Sequence, residues 1–171
     1  MLLAAASAWS GNAFGQSNPS CTVDGEDIPW QFQACALTER HGEPCVPLKY
    51  LNNLEFNAYG LTWLHLVPGG YVYVNRNGRI VVRDVSMMDN GADWFHRGLV
   101  RLERDGKYGF ADWKGRIVIP IRYDGADNTD EEGPKVCVGC RVERSGEYGA
   151  FVGGQWFSVD AHRHLHKTSG P

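Results

Sequence analysis

Cys137-Val138-Gly139-Cys140 sets two thiols at the spacing of a redox pair, of half a zinc site and of a small structural disulfide. Thioredoxin-like chemistry wants such a pair at a helix N-terminus within a βαβ unit, and that context is absent. A zinc site would need two more ligands from Cys35, Cys45 or the histidines. A structural disulfide is the leading reading, with zinc and other pairings left open. Cys21, Cys35 and Cys45 fall in a turn-rich stretch where any two can close a loop, and spacing does not choose which. Five cysteines are an odd number, so one is expected to remain over or to bridge two chains.

Two further clusters carry chemistry. His162, His164 and His166 alternate. On a strand their rings share one face and can take Zn²⁺ or Cu²⁺, whereas on a frayed end they are solvated, which is the reading their place near Thr168 to Pro171 favours. Asp124, Asp127, Asp130, Glu131 and Glu132 crowd one loop. Their spacing is not that of an EF-hand, so the loop reads as a solvated connector or, more sharply, as an anionic contact surface for a cationic partner. No phosphate loop, Gly-x-Ser-x-Gly elbow or His-Glu-x-x-His helix is present, and no base-plus-nucleophile pair stands out. The chain reads as a binder and not as an enzyme, with no metal or cofactor expected.

The elements that must position these groups centre on Gly98 to Asp124. Leu99 to Arg104 alternates apolar and polar residues, Asp105-Gly106 is a hairpin signal, Tyr108 to Asp112 resumes the extended pattern, and Trp113-Lys114-Gly115 turns the chain into a β-branched run ending near Pro120. This three-stranded meander is too small to bury a core alone. It recurs. Tyr71 to Val82 matches Tyr108 to Ile119, and Arg101 to Gly109 returns forty positions later as Arg141 to Gly149. Such a period marks stacked supersecondary units sharing one core.

Tyr108-Gly109-Phe110, Asp112, Gly115, the Ile/Val run after it, and Tyr123-Asp124 with Ala126 together resemble the WG (KWG) β-repeat. Ala92, Phe95 and Gly98-Leu99 match that repeat's opening, with Arg97 where the family usually has Glu. The resemblance spans roughly Gly69 to Asp160. Val72 replaces the glycine in the first copy, Thr129 stands near the expected Phe of the third, and Gly153-Gly154-Gln155-Trp156 shortens its turn. It implies an all-β array of antiparallel meanders with a cysteine-containing N-terminal cap segment. WG-like proteins also resemble, in part, periplasmic immunity proteins that neutralise type VI secretion effectors, including lipase-type effectors. That implies a protein partner.

Length suits one domain, and a net charge of −3 supplies no basic field for nucleic acid or acidic lipid. Met1 to Gln16 is uncharged and ends in small residues, resembling a secretory signal peptide without the usual basic start. The expected organisation is a signal peptide over residues 1–15, a cap segment over 16–68, repeats over 69–160 and a flexible tail over 161–171, with 16–160 folding as one unit. No later stretch is long enough to span a bilayer, so a soluble periplasmic product is expected. The expected contact residues are Asp127, Asp130, Glu131 and Glu132, with Trp113 on the neighbouring hairpin tip. An alternative is an envelope metal-handling or redox protein using Cys137, Cys140 and the histidines. A third is a scaffold binding glycan through Trp113 and Trp156.

Overall fold

Four side chains, Asn57, Asn75, Asp112 and Asp160, bend the backbone in the same way. The computed structural model of the protein describes residues 20–22, 38–40, 42–52, 54–67, 69–88, 91–128, 133–145 and 148–170. At each of the four, Oδ1 accepts the backbone N–H groups two and four positions on, at 2.8–3.1 Å. The main chain closes the same loop with bonds between the first and fourth and the first and fifth residues. Short Asn and Asp side chains do this because they reach their own backbone. The fourth position takes a positive φ: Gly60 72°, Gly78 79°, Gly115 82° and Arg163 69°.

Strands run between these turns. β1 (Ser20–Thr22), β2 (Thr38–Arg40) and β3 (Glu43–Cys45) precede a single 3₁₀ turn at Leu48–Tyr50. Then come β4 (Leu61–Val67), β5 (Gly70–Asn75), β6 (Ile80–Val85), β7 (Met87–Met88) and β8 (Gly91–Ala92). β9 (Leu99–Arg104), β10 (Lys107–Asp112), β11 (Ile117–Tyr123) and β12 (Gly125–Asp127) follow. The chain ends with β13 (Lys135–Val138), β14 (Arg141–Ser145), β15 (Tyr148–Val152), β16 (Gln155–Val159) and β17 (Leu165–Thr168). Among the described residues there is no α-helix, and every strand pair is antiparallel.

A seven-stranded sheet holds two meanders in the order β1-β4-β5-β6-β9-β10-β11. Each breaks register on its middle strand at equivalent places, after Tyr71 and Tyr73 in one and after Tyr108 and Phe110 in the other. The second break is larger because three residues of β11, among them Pro120, lie between the partners Ile119 and Tyr123. Gly109 makes room for them: a Cβ there would stand 2.5 Å from the Ile119 carbonyl oxygen. The two meanders are in ladder register at one residue pair, Val85 with Leu102, and Arg104 of the second also binds Asp84 of the first. The turn of the second packs back on the first, since a Cβ on Gly115 would lie 2.0 Å from the Val81 carbonyl oxygen. Gly78 stands in the same relation to the Val46 carbonyl. Apolar clusters follow this plan: Val46, Leu64, Leu66, Val72 and Val74 under the first meander, and Leu99, Phe110, Ile119, Val136 and Val159 where the second meets the next sheet.

That next sheet, β12-β13-β16-β17, departs from the sequence reading in two ways. Arg141 to Gly149, matched to the second meander, does not join it. These residues form most of a separate β14–β15 hairpin, and β13 pairs across the insertion with β16. The stretch expected as a flexible tail holds β17, paired with β16 from Trp156↔Thr168 to Val159↔Leu165. Asp160 caps the turn between them, and Leu165 packs on the Val136–Val159 cluster. The alternating histidines masked a strand whose buried contacts rest on one leucine. The boundary expected at Gly69 falls inside a hairpin, because β4 and β5 pair from Leu61↔Asn75 to Leu66↔Gly70.

Candidate interaction site

Two of the capped turns bring aromatic rings together. Trp113 follows Asp112 in its turn, and Tyr59 is the third residue of the turn begun by Asn57. Their rings stack 5.8 Å apart at 12°, yet Trp113 stays 41% and Tyr59 38% exposed. Behind them Phe95 lies 5.3 Å from Tyr59 and 4.8 Å from Tyr73, whose hydroxyl donates to the Asp93 carbonyl at 2.8 Å. The exposed pair is therefore continuous with the core. Lys114 sets its ammonium 4.8 Å from the Trp113 ring centre.

Asp112 holds this tip. Its buried carboxylate accepts the Lys114 and Arg116 backbone N–H groups and the Arg116 guanidinium at 2.6–3.0 Å. Burial alone would raise its pKa, but the Arg116 side chain and these backbone donors outweigh it and hold the carboxyl below its ordinary range. The rim around Trp113 is accordingly basic, Lys114 and Arg116 both being exposed.

Of the expected contact set, the structure describes Asp127 and Trp113, which stand on different elements. Asp127 is half-buried on β12 opposite the buried Lys135, in a different sheet from the turn that carries Trp113. Asp130, Glu131 and Glu132 lie outside the described residues. What reaches this region from the core is a polar network invisible to motif reading. Asn128 Nδ2 donates to the Asp93 carboxylate at 3.2 Å and to the Trp94 carbonyl at 3.0 Å. Arg101 Nε sits 3.5 Å from Asp93 Oδ2, and its other nitrogens donate to the Ala126 and Met87 carbonyls at 3.0 and 3.3 Å. Burial pushes the Asp93 carboxyl up, against the pull of Arg101 and Asn128. The alternation of β9 sets Arg101 on the face opposite Val100 and Leu102, and it is buried only because both faces of that strand are covered.

Cys137 and Cys140 are joined in a disulfide, both buried against Trp156 and Phe151. Trp156 is buried and donates its indole N–H to the Gly153 carbonyl at 3.0 Å, so it offers no face to a glycan. The buried Cys45 sulfur lies 3.4 Å from the Asn77 carbonyl oxygen, Cys21 stands on β1, and Cys35 lies outside the described residues. In the last turn Asp160 Oδ2 meets His166 Nε2 at 2.8 Å and His164 Nδ1 at 3.6 Å. The contact with His166, then the backbone N–H of His164, lowers the Asp160 pKa to about 2. Among the described residues no group of three or more His, Cys, Asp or Glu is arranged to hold a metal ion. None of the described helical segments is long and apolar enough to cross a membrane. Comparison with protein families, with curated proteins and with solved structures finds no match for this chain.

Proposed function

We propose that the chain is an exported protein-binding module that inhibits a toxic effector enzyme, an immunity protein whose target belongs to the lipase-type effectors. The observation that carries this reading is the exposed Tyr59–Trp113 stack on two side-chain-capped turns. Rigid aromatic rings with a polar tip lose little entropy on binding and dominate protein interfaces. The mouth of a lipase cleft is apolar and would accept such a pair, with Lys114 and Arg116 meeting acidic groups at its rim. The carboxylates Asp127, Asp130, Glu131 and Glu132 would add a negative field that speeds the approach of a cationic partner.

The scaffold reading belongs to the same proposal: the units are WG-like repeats, and the cysteine-containing N-terminal segment covers their first edge. The shared turns, the equivalent register breaks and the position of β1 beside β4 support it. Periplasmic residence is in keeping with a disulfide at Cys137–Cys140. A redox role for that pair is disfavoured, since both sulfurs are covered by Trp156 and Phe151. To test the inhibitor reading, the immobilised chain is passed over envelope and secreted extracts of its source. One stoichiometrically retained hydrolase that loses activity on binding is expected. Trp113→Ala should then weaken binding by about 2 kcal/mol, roughly 30-fold. Retained proteins whose activity is untouched would refute inhibition.

A further inference from the structure

The same sequence motif occupies two environments in this molecule, and the second is incomplete. In β9, Leu102 is 2% exposed and pairs with Val85 of β6. Arg101 is buried beside Asp93, and Arg104 binds Asp84 of β6 at 2.5 and 3.2 Å. Thus the outer edge of β9 receives a strand that carries an acidic residue next to an apolar one, Asp84-Val85. In β14 the matching residues are Arg141, Val142 and Arg144. There Val142 is 49% exposed, the Arg141 side chain is 76% exposed and its carboxylate neighbour is Glu143 of the same strand, at 3.7 Å. Among the described residues β14 pairs only with β15, leaving its outer edge open.

An isolated two-stranded hairpin is marginal in water, and an open edge invites pairing. This one is fixed at its base. The Cys137–Cys140 disulfide closes the turn before it, Gly139 N–H donates to Asp124 Oδ2 at 2.6 Å, and Phe151 packs 5.1 Å from Tyr108 and 6.3 Å from Trp156. Its register differs from that of β9–β10 by one turn position, since Ser145 pairs with Tyr148 whereas Arg104 pairs with Lys107.

We infer that the outer edge of β14 is a strand-addition site for an extended segment of a protein partner that sets an apolar residue against Val142 and carboxylates against Arg141 and Arg144. Backbone hydrogen bonds along the edge would supply affinity, and the alternating side chains would supply selection. The site rests on the protein-binding reading but lies apart from the Tyr59–Trp113 pair, so either can fail alone.

The test uses the whole chain and a phage-displayed library of nine-residue linear peptides. Enriched peptides should alternate apolar and acidic residues, and Arg141→Glu with Arg144→Glu should weaken them about tenfold while shifting enrichment toward basic sequences. Both arginines are exposed, so an unchanged thermal midpoint is expected for that variant. Bound peptide should slow amide exchange over residues 141–144. Val142→Asp serves as a second variant and should weaken acidic peptides to a similar degree. No enrichment over the doubly reversed chain, or binding that leaves exchange in β14 unchanged, overturns the site.

Discussion

Replacing Gly115 by Ala tests whether one meander is seated on the other through a backbone contact. Gly115 has φ +82° and its missing Cβ would fall 2.0 Å from the Val81 carbonyl oxygen, with the Val81 carbonyl carbon at 3.1 Å. Gly106 is the control: φ is +69°, and nothing lies within 4 Å of a Cβ placed there. Alanine in the left-handed region costs about 1 kcal/mol at either place. The smaller entropy of the unfolded chain returns part of that equally in both variants, so it cancels in their difference. What remains is steric. The carbonyl belongs to β6 and cannot rotate away as a side-chain tip would, so the turn must lift from the strand. Overpacking of this kind costs about 1–3 kcal/mol. Gly106→Ala is therefore expected to lose about 1 kcal/mol and Gly115→Ala about 2–4 kcal/mol. Urea unfolding at neutral pH, followed by tryptophan fluorescence with the disulfide intact, reads both. A difference below about 0.5 kcal/mol, within ordinary surface variation, would refute the seating argument.

Asp112→Asn keeps the turn's acceptor and loses only an ion pair with exposed Arg116, costing at most about 1 kcal/mol, whereas Asp112→Ala strands two backbone N–H groups and should cost about 2–3 kcal/mol in the same assay. Because the native Asp112 carboxyl titrates below its ordinary range, its stabilisation is complete above that range and is lost as pH falls through the native value, a slope Asp112→Asn should flatten in unfolding curves taken down the acid limb. Asp160 behaves likewise at the last turn. With its pKa lowered from 3.8 to about 2, the protection of β17 amides, taken relative to the intrinsic exchange rate at each pH, should hold above pH 4 and fall as pH drops toward 2, and protection that does not change with pH would exclude that contact. Asp93→Ala leaves buried Arg101 without its carboxylate and should cost about 3–5 kcal/mol, part of which the double variant with Arg101→Met should restore.

Much of the architecture was legible because turns and alternation are local. Asp105-Gly106, Asn77-Gly78 and Lys114-Gly115 mark hairpins through residues that tolerate positive φ, and the runs between them alternate with period two. The Cys137–Cys140 disulfide was legible for the same reason, its partners being three residues apart. The aromatic pair was only half visible. Trp113 could be placed on a tip, but Tyr59 is more than fifty residues away in the chain and meets it only because the meanders fold back on one another.

The amino-acid order by itself determined a turn-rich antiparallel β protein, because hairpin turns such as those ending at Gly78 and Gly115 are satisfied by atoms within four residues. Tertiary structure alone decided which copies of the repeated motif became sheet and which became hairpin. Arg101-Leu102 and Arg141-Val142 are near neighbours in pattern, yet one pair is buried and the other exposed, since only the first has β6 beside it. A strand's partner is chosen by which edge is free and which apolar face needs cover, and both are properties of the assembled sheet rather than of the strand.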